Sequence, residues 1–277
     1  MYKNEMPNGK VFHKLWKEGN VYRIRKTKEF EYNYEINKEF VLSSFNYAYW
    51  MAFEKGGSYR DHRKGGVYRR SKDEIFIAAF QGKLSEYSFY QFFSRKSHIL
   101  ITAPDDRILS EGKWDNVDMK FINMNNPKKK TYPVTIKSTK SAGNLLLLET
   151  GDWTVEGYYR PDIEEESITP VDYAYYVLVR IGAKEKTGTE SYNTINTIYK
   201  ELKKKSDVIS YMELKSLVMN IDWFYDIPGY ITKEEFKYIA SKEFIIHQGE
   251  MIKVKGIITM DADNYYIQAG DLHPITK

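Results

Sequence analysis

Cysteine is absent from this chain of 277 residues. Disulfides, thiol nucleophiles and zinc sites built on thiolates are therefore excluded, and a reducing cytoplasm is permitted. Long apolar runs are missing as well, since none approaches the roughly 20 residues of a membrane span. The opening stretch MYKNEMPNGKVFHKLW lacks the apolar core of a signal peptide. We therefore expect a soluble, cytoplasmic protein with no membrane partner.

Several short catalytic signatures are also missing. The sequence contains no G-x-x-x-x-G-K-[ST], G-x-G-x-x-G, H-E-x-x-H, G-x-S-x-G or EF-hand spacing. Its 5 histidines are scattered singly. Neither a histidine metal cluster nor a local catalytic triad is indicated.

The rest of the composition is typical of a globular protein. Apolar residues make up 42% of the chain and charged residues 29%, which argues against disorder. The 42 basic residues exceed the 38 acidic ones by a net charge of only +4, too little to indicate a nucleic-acid binder by itself. The length fits about two domains, or one large α/β domain with additions.

Two helices are predicted in the first third of the chain. Apolar spacing predicts one helix that begins with Asn37 as its cap and stops before a Gly-Gly pair. A second helix follows, capped by Ser71 or Asp73. Gly82 lies inside it, where a glycine costs ~1 kcal/mol relative to alanine. We therefore expect another backbone to pass close to Gly82.

Strand patterns follow the second helix. Four short apolar runs predict a meander or mixed sheet from residue 98 to about 159, namely HILITAP, NVDMKFINM, YPVTIKST and NLLLLET. DYAYYVLVRIG predicts a further buried strand, residues 190–220 predict helices broken near Ser206, and the C-terminal stretches predict a small β addition. The predicted fold class is α/β (α+β), with a central mixed β-sheet flanked by helices.

One ordered set of segments carries a resemblance. A helix containing GKLSEYSFYQFF precedes VDMKF, YPVTIKSTK and NLLLLE. This order resembles the PD-(D/E)XK nuclease superfamily, and within it the type II restriction endonucleases, over roughly residues 72–150. The resemblance implies a nuclease core with N- and C-terminal additions. In such enzymes a helical Glu, an Asp and the acid of (D/E)-x-K gather Mg²⁺, and the Lys orients the attacking water.

The resemblance assigns roles to specific residues. Asp118 becomes the central metal ligand, Glu86 the helical carboxylate, Lys137 the water-orienting cation, and Ile136 a further metal contact. Residues two apart on a strand face the same side, so position 135 and Lys137 would share one pocket. The motif acid, however, is replaced by Thr135, which has no charge.

The missing acid leaves alternatives open. Either Glu86 or Glu149 substitutes for it, or the site is weakened or inactive. A second register, Pro104-Asp105 with Asp118-Met119-Lys120, satisfies the literal motif. We favour the first register because VTIKSTK followed by NLLLLE is typical of the family's central strand, whereas PDDRIL is more typical of a turn. In a third interpretation the motif arises by chance, and Lys137 is an ordinary solvated residue of a strand.

Five basic residues are predicted to contact DNA. A Gly-bounded loop carries four of them and Lys140 is the fifth, and Arg can grip guanine or a phosphate. An ordinary solvated loop explains the same residues equally well. The predicted contacts in the loop are Arg60, Arg63, Lys64 and Arg69, and the same loop also carries Arg70.

The predicted function is Mg²⁺-dependent, site-specific cleavage of double-stranded DNA that leaves 5′-phosphate ends. The alternatives are a DNA-binding protein that keeps the scaffold without catalysis, and a repair, structure-specific or RNA-directed nuclease. A palindromic target would imply a homodimer. We expect residues 1–70 to form an arm, helix and basic loop, 71–185 the catalytic core, and 186–277 a part for recognition or dimerisation.

Overall fold

The computed structural model describes ten parts of the chain: 6, 9–54, 70–106, 119–126, 128, 130–160, 170–184, 194–205, 209–254 and 256–275. They contain a mixture of helices and strands. The helices are α1 (Lys38–Phe53), α2 (Lys72–Ser94), α3 (Thr194–Lys205), α4 (Tyr211–Met219) and α5 (Lys233–Ser241). None of these helices is long and apolar enough to cross a membrane.

Thirteen strands form three sheets in the described residues. The first nine are β1 (Trp16–Glu18), β2 (Val21–Arg23), β3 (Tyr34–Glu35), β4 (Ile99–Ile101), β5 (Met119–Asn123), β6 (Thr131–Lys140), β7 (Leu145–Glu149), β8 (Tyr175–Lys184) and β9 (Asp222–Thr232). The last four are β10 (Ile245–Ile246), β11 (Met251–Lys253), β12 (Ile257–Thr259) and β13 (Asn264–Gln268).

The central sheet has six strands in the order β3-β9-β8-β6-β5-β4. Strands β4, β5 and β6 form an antiparallel meander, β6 and β8 are parallel, and β9 returns antiparallel to β8. The fold is therefore a mixed α/β arrangement, which confirms the predicted class of a mixed sheet with helices. A separate sheet has the order β10-β13-β7, and the third has the order β1-β2-β11-β12.

Strand β7, the NLLLLE segment, departs from the predicted meander. It pairs with β13 in the three-stranded sheet instead of lying beside β6. Leu146 and Leu148 are buried in the core on the far side of the central sheet. A strand with leucines at successive positions can bury both faces between two layers, and apolar pattern alone does not select its partner strand.

Two hydrophobic cores lie on the two faces of the central sheet. Val134, Val177 and Val179 pack in one core with residues of α1, α2, α3 and α4. Tyr176 and Leu178 alternate with these valines and pack in the other core with residues of β7, β13 and α5. The alternation follows from the two-residue period of a strand. Central strand β6 thus presents its odd and even positions to different layers.

The two long helices begin where the sequence indicates. Ser71 caps α2 in a capping box with Glu74, each side chain reaching the other residue's backbone N–H. Asn37 precedes α1 but makes no side-chain cap bond. Among the described residues the prediction for Gly82 is wrong, because a Cβ placed there meets none of their atoms within 4 Å.

Strands from the two ends of the chain pair with each other. β2 runs parallel to β11, and β3 and β9 complete one side of the central sheet. The central sheet thus takes strands from each of the three predicted parts, and the functional division among those parts stays a prediction.

Candidate active site

Strand β6 lies between β5 and β8 and carries the first-register motif. Ile136 lies partly buried against the core that holds α2, and Gln81 of α2 donates a hydrogen bond of 3.3 Å to Ser138. Thr135 and Lys137 alternate with these two residues and therefore occupy the opposite face of the sheet. Because the side chain of Ile136 is hydrocarbon, only its backbone carbonyl could contact a metal.

Lys137 is held by an aromatic ring. Its Nζ lies 5.2 Å from the ring centroid of Trp153, and Trp153 is buried among aromatic residues of the second core. In the described part of the chain Lys137 forms no ion pair or hydrogen bond with a carboxylate. A half-buried ammonium on an aromatic face keeps its charge available for an anion.

Glu149 helps to place this ring. Its backbone carbonyl accepts hydrogen bonds from Asp152 N (3.0 Å) and Trp153 N (3.2 Å) at the turn after β7. Its carboxylate does not pair with Lys137 within the described residues. The hypothesis that Glu149 substitutes for the missing acid therefore stays a prediction.

Glu86 lies on α2, against the other face of the sheet. Its Oε2 accepts a 2.6 Å bond from Lys83 Nζ, and Lys83 also donates to the carbonyl of Asp105 (2.8 Å) and lies 4.4 Å from the ring centroid of Tyr47. Burial lowers the pKa of Lys83, but the charge and hydrogen bond of Glu86 outweigh burial and raise it above its ordinary value. Glu86 is therefore one half of a buried ion pair.

The structure does not bring Glu86 and Lys137 together. The two side chains belong to opposite faces of β6, and the ion pair with Lys83 orients Glu86 toward the segment after β4. The same segment contributes Asp106, which accepts a hydrogen bond from Tyr87. Burial and this bond to Asp106 raise the pKa of Tyr87 above its ordinary value.

The second register is divided between the two faces. Asp105 lies beside α2 through its carbonyl. Lys120 is opposite Pro133 on β6, so its exposed side chain shares the face of Thr135 and Lys137. Lysines of both registers thus lie on one face, while Glu86 and Asp105 lie near the other.

Several predicted residues fall outside the described parts of the chain. These are Asp118, which directly precedes β5, and the loop cations Arg60, Arg63, Lys64 and Arg69. Lys140 is described at the end of β6, where burial lowers its pKa. It occupies an even position and therefore faces the α2 side, away from Lys137.

The described residues alone do not supply a magnesium site. No group of three His, Asp or Glu side chains among them comes together in a way that would hold a metal. Thr135 is 2% exposed and neutral, and Glu86 is engaged by Lys83. Asp118 lies outside the described residues, and Mg²⁺ stays a prediction.

Comparison with protein-family models, with curated proteins and with solved structures finds no match to this chain.

Sequence reasoning missed two residues that shape the site. The partner of Glu86 was readable in principle, because Lys83 and Glu86 have the i, i+3 spacing of a helical ion pair. The contact between Lys137 and Trp153 had no sequence signal, since the chain between them turns through β7 and changes sheet.

Proposed function

We propose that the protein is a Mg²⁺-dependent endonuclease of the type II restriction kind that acts on double-stranded DNA. The observation that carries the proposal is the position of β6. It ends the β4-β5-β6 meander that follows α2 and pairs parallel with β8, and it presents Lys137 without a carboxylate partner in the described residues. This order of helix, meander and further strand supports the nuclease core that the sequence resemblance implies.

The proposed reaction is hydrolysis of a phosphodiester. A water oxygen attacks phosphorus, the bond from phosphorus to the 3′ oxygen breaks, and the products carry a 5′-phosphate and a 3′-hydroxyl. Mg²⁺, when bound, would neutralise phosphate charge and acidify a bound water. Lys137 would orient the water and offset the negative charge that develops on the phosphate.

Asp118 and Glu86 are not equally well supported as metal ligands. Asp118 directly precedes β5, whose residue Met119 pairs with Val134, next to Thr135. Glu86 is paired with Lys83 and lies on the opposite face of β6 from Lys137, so it would have to leave Lys83 and change position to act as a metal ligand there. The proposal therefore depends first on Asp118 and Lys137.

A second candidate function has its own supporting observation. A buried neutral Thr135 and an engaged Glu86 favour a protein that binds DNA through the same scaffold without cutting it. Such a protein would shift a duplex in a mobility assay, with or without Mg²⁺, and leave it intact.

The direct test is a digest of unmethylated phage DNA with Mg²⁺, read by sequencing of the ends. The proposal predicts cuts at one recurring site with 5′-phosphate ends and none in EDTA. Intact DNA at high enzyme concentration would refute it. Single-stranded DNA, structured RNA and duplex DNA tested side by side separate the restriction, repair and RNA-directed alternatives.

The proposed homodimer needs its own measurement. A palindromic cut site together with a dimeric mass from light scattering supports it, and a monomeric mass on the cognate duplex refutes it.

A further inference from the structure

The four-stranded sheet β1-β2-β11-β12 has one face turned to solvent. Its register aligns Trp16, Arg23, Lys253 and Ile257 in one row across the four strands. The opposite face carries Ile252, which is buried in the second core. We call the row and its neighbour Arg25 the outer face of this sheet.

Both ends of the row are apolar and exposed. Trp16 is 50% exposed and Ile257 is 63% exposed. Arg25, two residues after Arg23 on the same side of the chain, lies over the ring of Trp16 with its guanidinium carbon 4.1 Å from the ring centroid. Each of these two side chains therefore presents apolar area that a bound partner would remove from water.

Two cations of the outer face are available for an anion. Within the described residues Arg25 and Lys253 form no ion pair, whereas Arg23 pairs with Glu18 at 2.5 Å. That pair is exposed, and an exposed pair contributes little, so a stronger anion can displace Glu18.

Positive charge is concentrated in this part of the chain. Residues 9–28 carry seven basic residues and one acidic residue, a net charge of +6, whereas the whole chain has a net charge of +4. The remainder therefore sums to −2. The cations are Lys10, Lys14, Lys17, Arg23, Arg25, Lys26 and Lys28, and the acid is Glu18.

We propose that the outer face binds the sugar-phosphate backbone of duplex DNA. Strands lie ~4.8 Å apart, so the four-residue row spans about 14 Å. One DNA strand carries one phosphate per ~3.4 Å of helix axis, and successive phosphates are farther apart than that along the winding strand, so the row can contact a few neighbouring phosphates. Arg23, Arg25 and Lys253 contact phosphates, and Trp16 and Ile257 pack against sugars on either side.

An anionic membrane fits this surface less well. Membrane-binding faces combine cations with one continuous apolar surface that inserts between lipids. Here the apolar side chains lie at opposite ends of the row, with Arg23 and Lys253 between them. The proposal rests on DNA as the substrate of the proposed nuclease.

The test measures binding without cleavage. Anisotropy of a labelled duplex is titrated in EDTA over a series of salt concentrations, with wild type and the variant Arg25→Gln/Lys253→Gln. Because each lost phosphate contact removes about 0.9 from the slope of log K against log salt, the variant slope is smaller by about 2 and binding is roughly tenfold weaker. Trp16→Ala weakens binding severalfold with no change in slope, since its contact is not ionic.

A control variant removes the same charge elsewhere. Lys215 and Lys242 also lie against tyrosine rings and form no ion pair in the described residues. The variant Lys215→Gln/Lys242→Gln is expected to bind like wild type. The four glutamine substitutions and Trp16→Ala all replace side chains at the surface, and circular dichroism is used to check that each variant is folded.

The outcomes separate this proposal from the proposed nuclease. An unchanged slope in Arg25→Gln/Lys253→Gln, an equal loss in the control variant, or binding to phosphatidylserine vesicles in place of DNA overturns the proposed surface. Wild type that binds in EDTA through these residues but never cuts refutes the nuclease and leaves the surface standing. If wild type cuts DNA but Arg25→Gln/Lys253→Gln binds DNA normally, the proposed surface is refuted and the proposed nuclease is supported.

Discussion

At the scale of single residues, the site is defined by what surrounds Lys137 and Glu86. Lys137 lies over an aromatic ring and Glu86 in a buried ion pair, on opposite faces of one sheet. Strand alternation predicted that position 135 and Lys137 share a face. The i, i+3 spacing of Lys83 and Glu86 indicated their pairing, but the burial of that pair could not be predicted because it depends on how the helix packs in the folded chain.

The first prediction concerns the missing acid. Thr135→Asp restores the motif carboxylate at a position that is 2% exposed. Without metal, the buried carboxylate has only Lys137 as a neighbouring cation and loses its hydration, so the melting temperature falls. Adding Mg²⁺ is expected to raise the melting temperature of Thr135→Asp more than it raises that of wild type. Equal shifts for both proteins would place the metal elsewhere, and Thr135→Asn is the uncharged control.

The second prediction concerns the ion pair of α2. Glu86→Gln leaves Lys83 charged and nearly inaccessible to water, so the free energy of unfolding falls by roughly 3–5 kcal/mol. The variant Lys83→Met/Glu86→Leu recovers most of that loss because no buried charge is left alone. Denaturant titrations of the variants check this, and additive losses would contradict a coupled pair.

The pH dependence of the same pair has a defined sign. The folded pKa of Lys83 lies above its unfolded value, so the pair stabilises the protein fully below the unfolded lysine pKa of about 10.4. The contribution is lost as pH rises through the higher folded pKa. Wild type is therefore expected to lose stability more steeply than Lys83→Met above this pH, and parallel curves would contradict the assignment.

At the scale of helices and strands, local pattern predicted most elements. The cap at Ser71 and the apolar runs of β4, β5, β6 and β8 agree with the structure. The partner of β7 was not predictable, because an all-leucine strand fits any sheet that buries both of its faces. Gly82 shows the converse: an unfavourable residue in a helix need not mark a contact.

The third prediction follows from Gly82. A Cβ there meets no atom of the residues that the structure describes within 4 Å, so Gly82→Ala should stabilise the protein by about 1 kcal/mol through helix propensity. Gly157→Ala is the matched contrast, because Gly157 has φ +80° and its Cβ would lie 2.5 Å from the Tyr176 hydroxyl. Chemical denaturation should move in opposite directions for the two variants, and a loss of stability in Gly82→Ala would contradict the open environment.

At the scale of the whole molecule, one buried cation joins the N-terminal segment to the central sheet. Arg180 on β8 binds Asp226 on β9 through two N–H groups and donates to the carbonyls of Lys28 and Glu29, both at 2.7 Å. The C-terminal end of residues 9–28, which include Trp16, Arg23 and Arg25 of the outer face, is thereby bound to the sheet that carries Lys137. Sequence reasoning treated the N-terminal residues as a separate arm because no local pattern marks such a long-range contact.

The fourth prediction tests this connection. Asp226→Asn removes the anion from a guanidinium that is 1% exposed, so the free energy of unfolding falls by roughly 3–5 kcal/mol. Arg180→Lys is also destabilising because lysine lacks the planar fork. The exposed pair of Lys38 and Asp222 is the control, where Lys38→Ala costs at most about 1 kcal/mol. Similar losses at both pairs would contradict the role of burial.

The central claim is that Lys137 on β6 is the lysine of a nuclease site. The most direct measurement compares the cleavage rates of Lys137→Ala and Lys120→Ala with that of wild type on the mapped DNA site in Mg²⁺. Both lysines lie on one face of the same sheet. Each variant removes one positive charge from that face, so a difference between their cleavage rates reports which motif register is used. The account predicts a loss of about 100-fold or more for Lys137→Ala, in the range of a general acid–base contribution, and a near-normal rate for Lys120→Ala. Normal cleavage by Lys137→Ala, or a loss confined to Lys120→Ala, would contradict it.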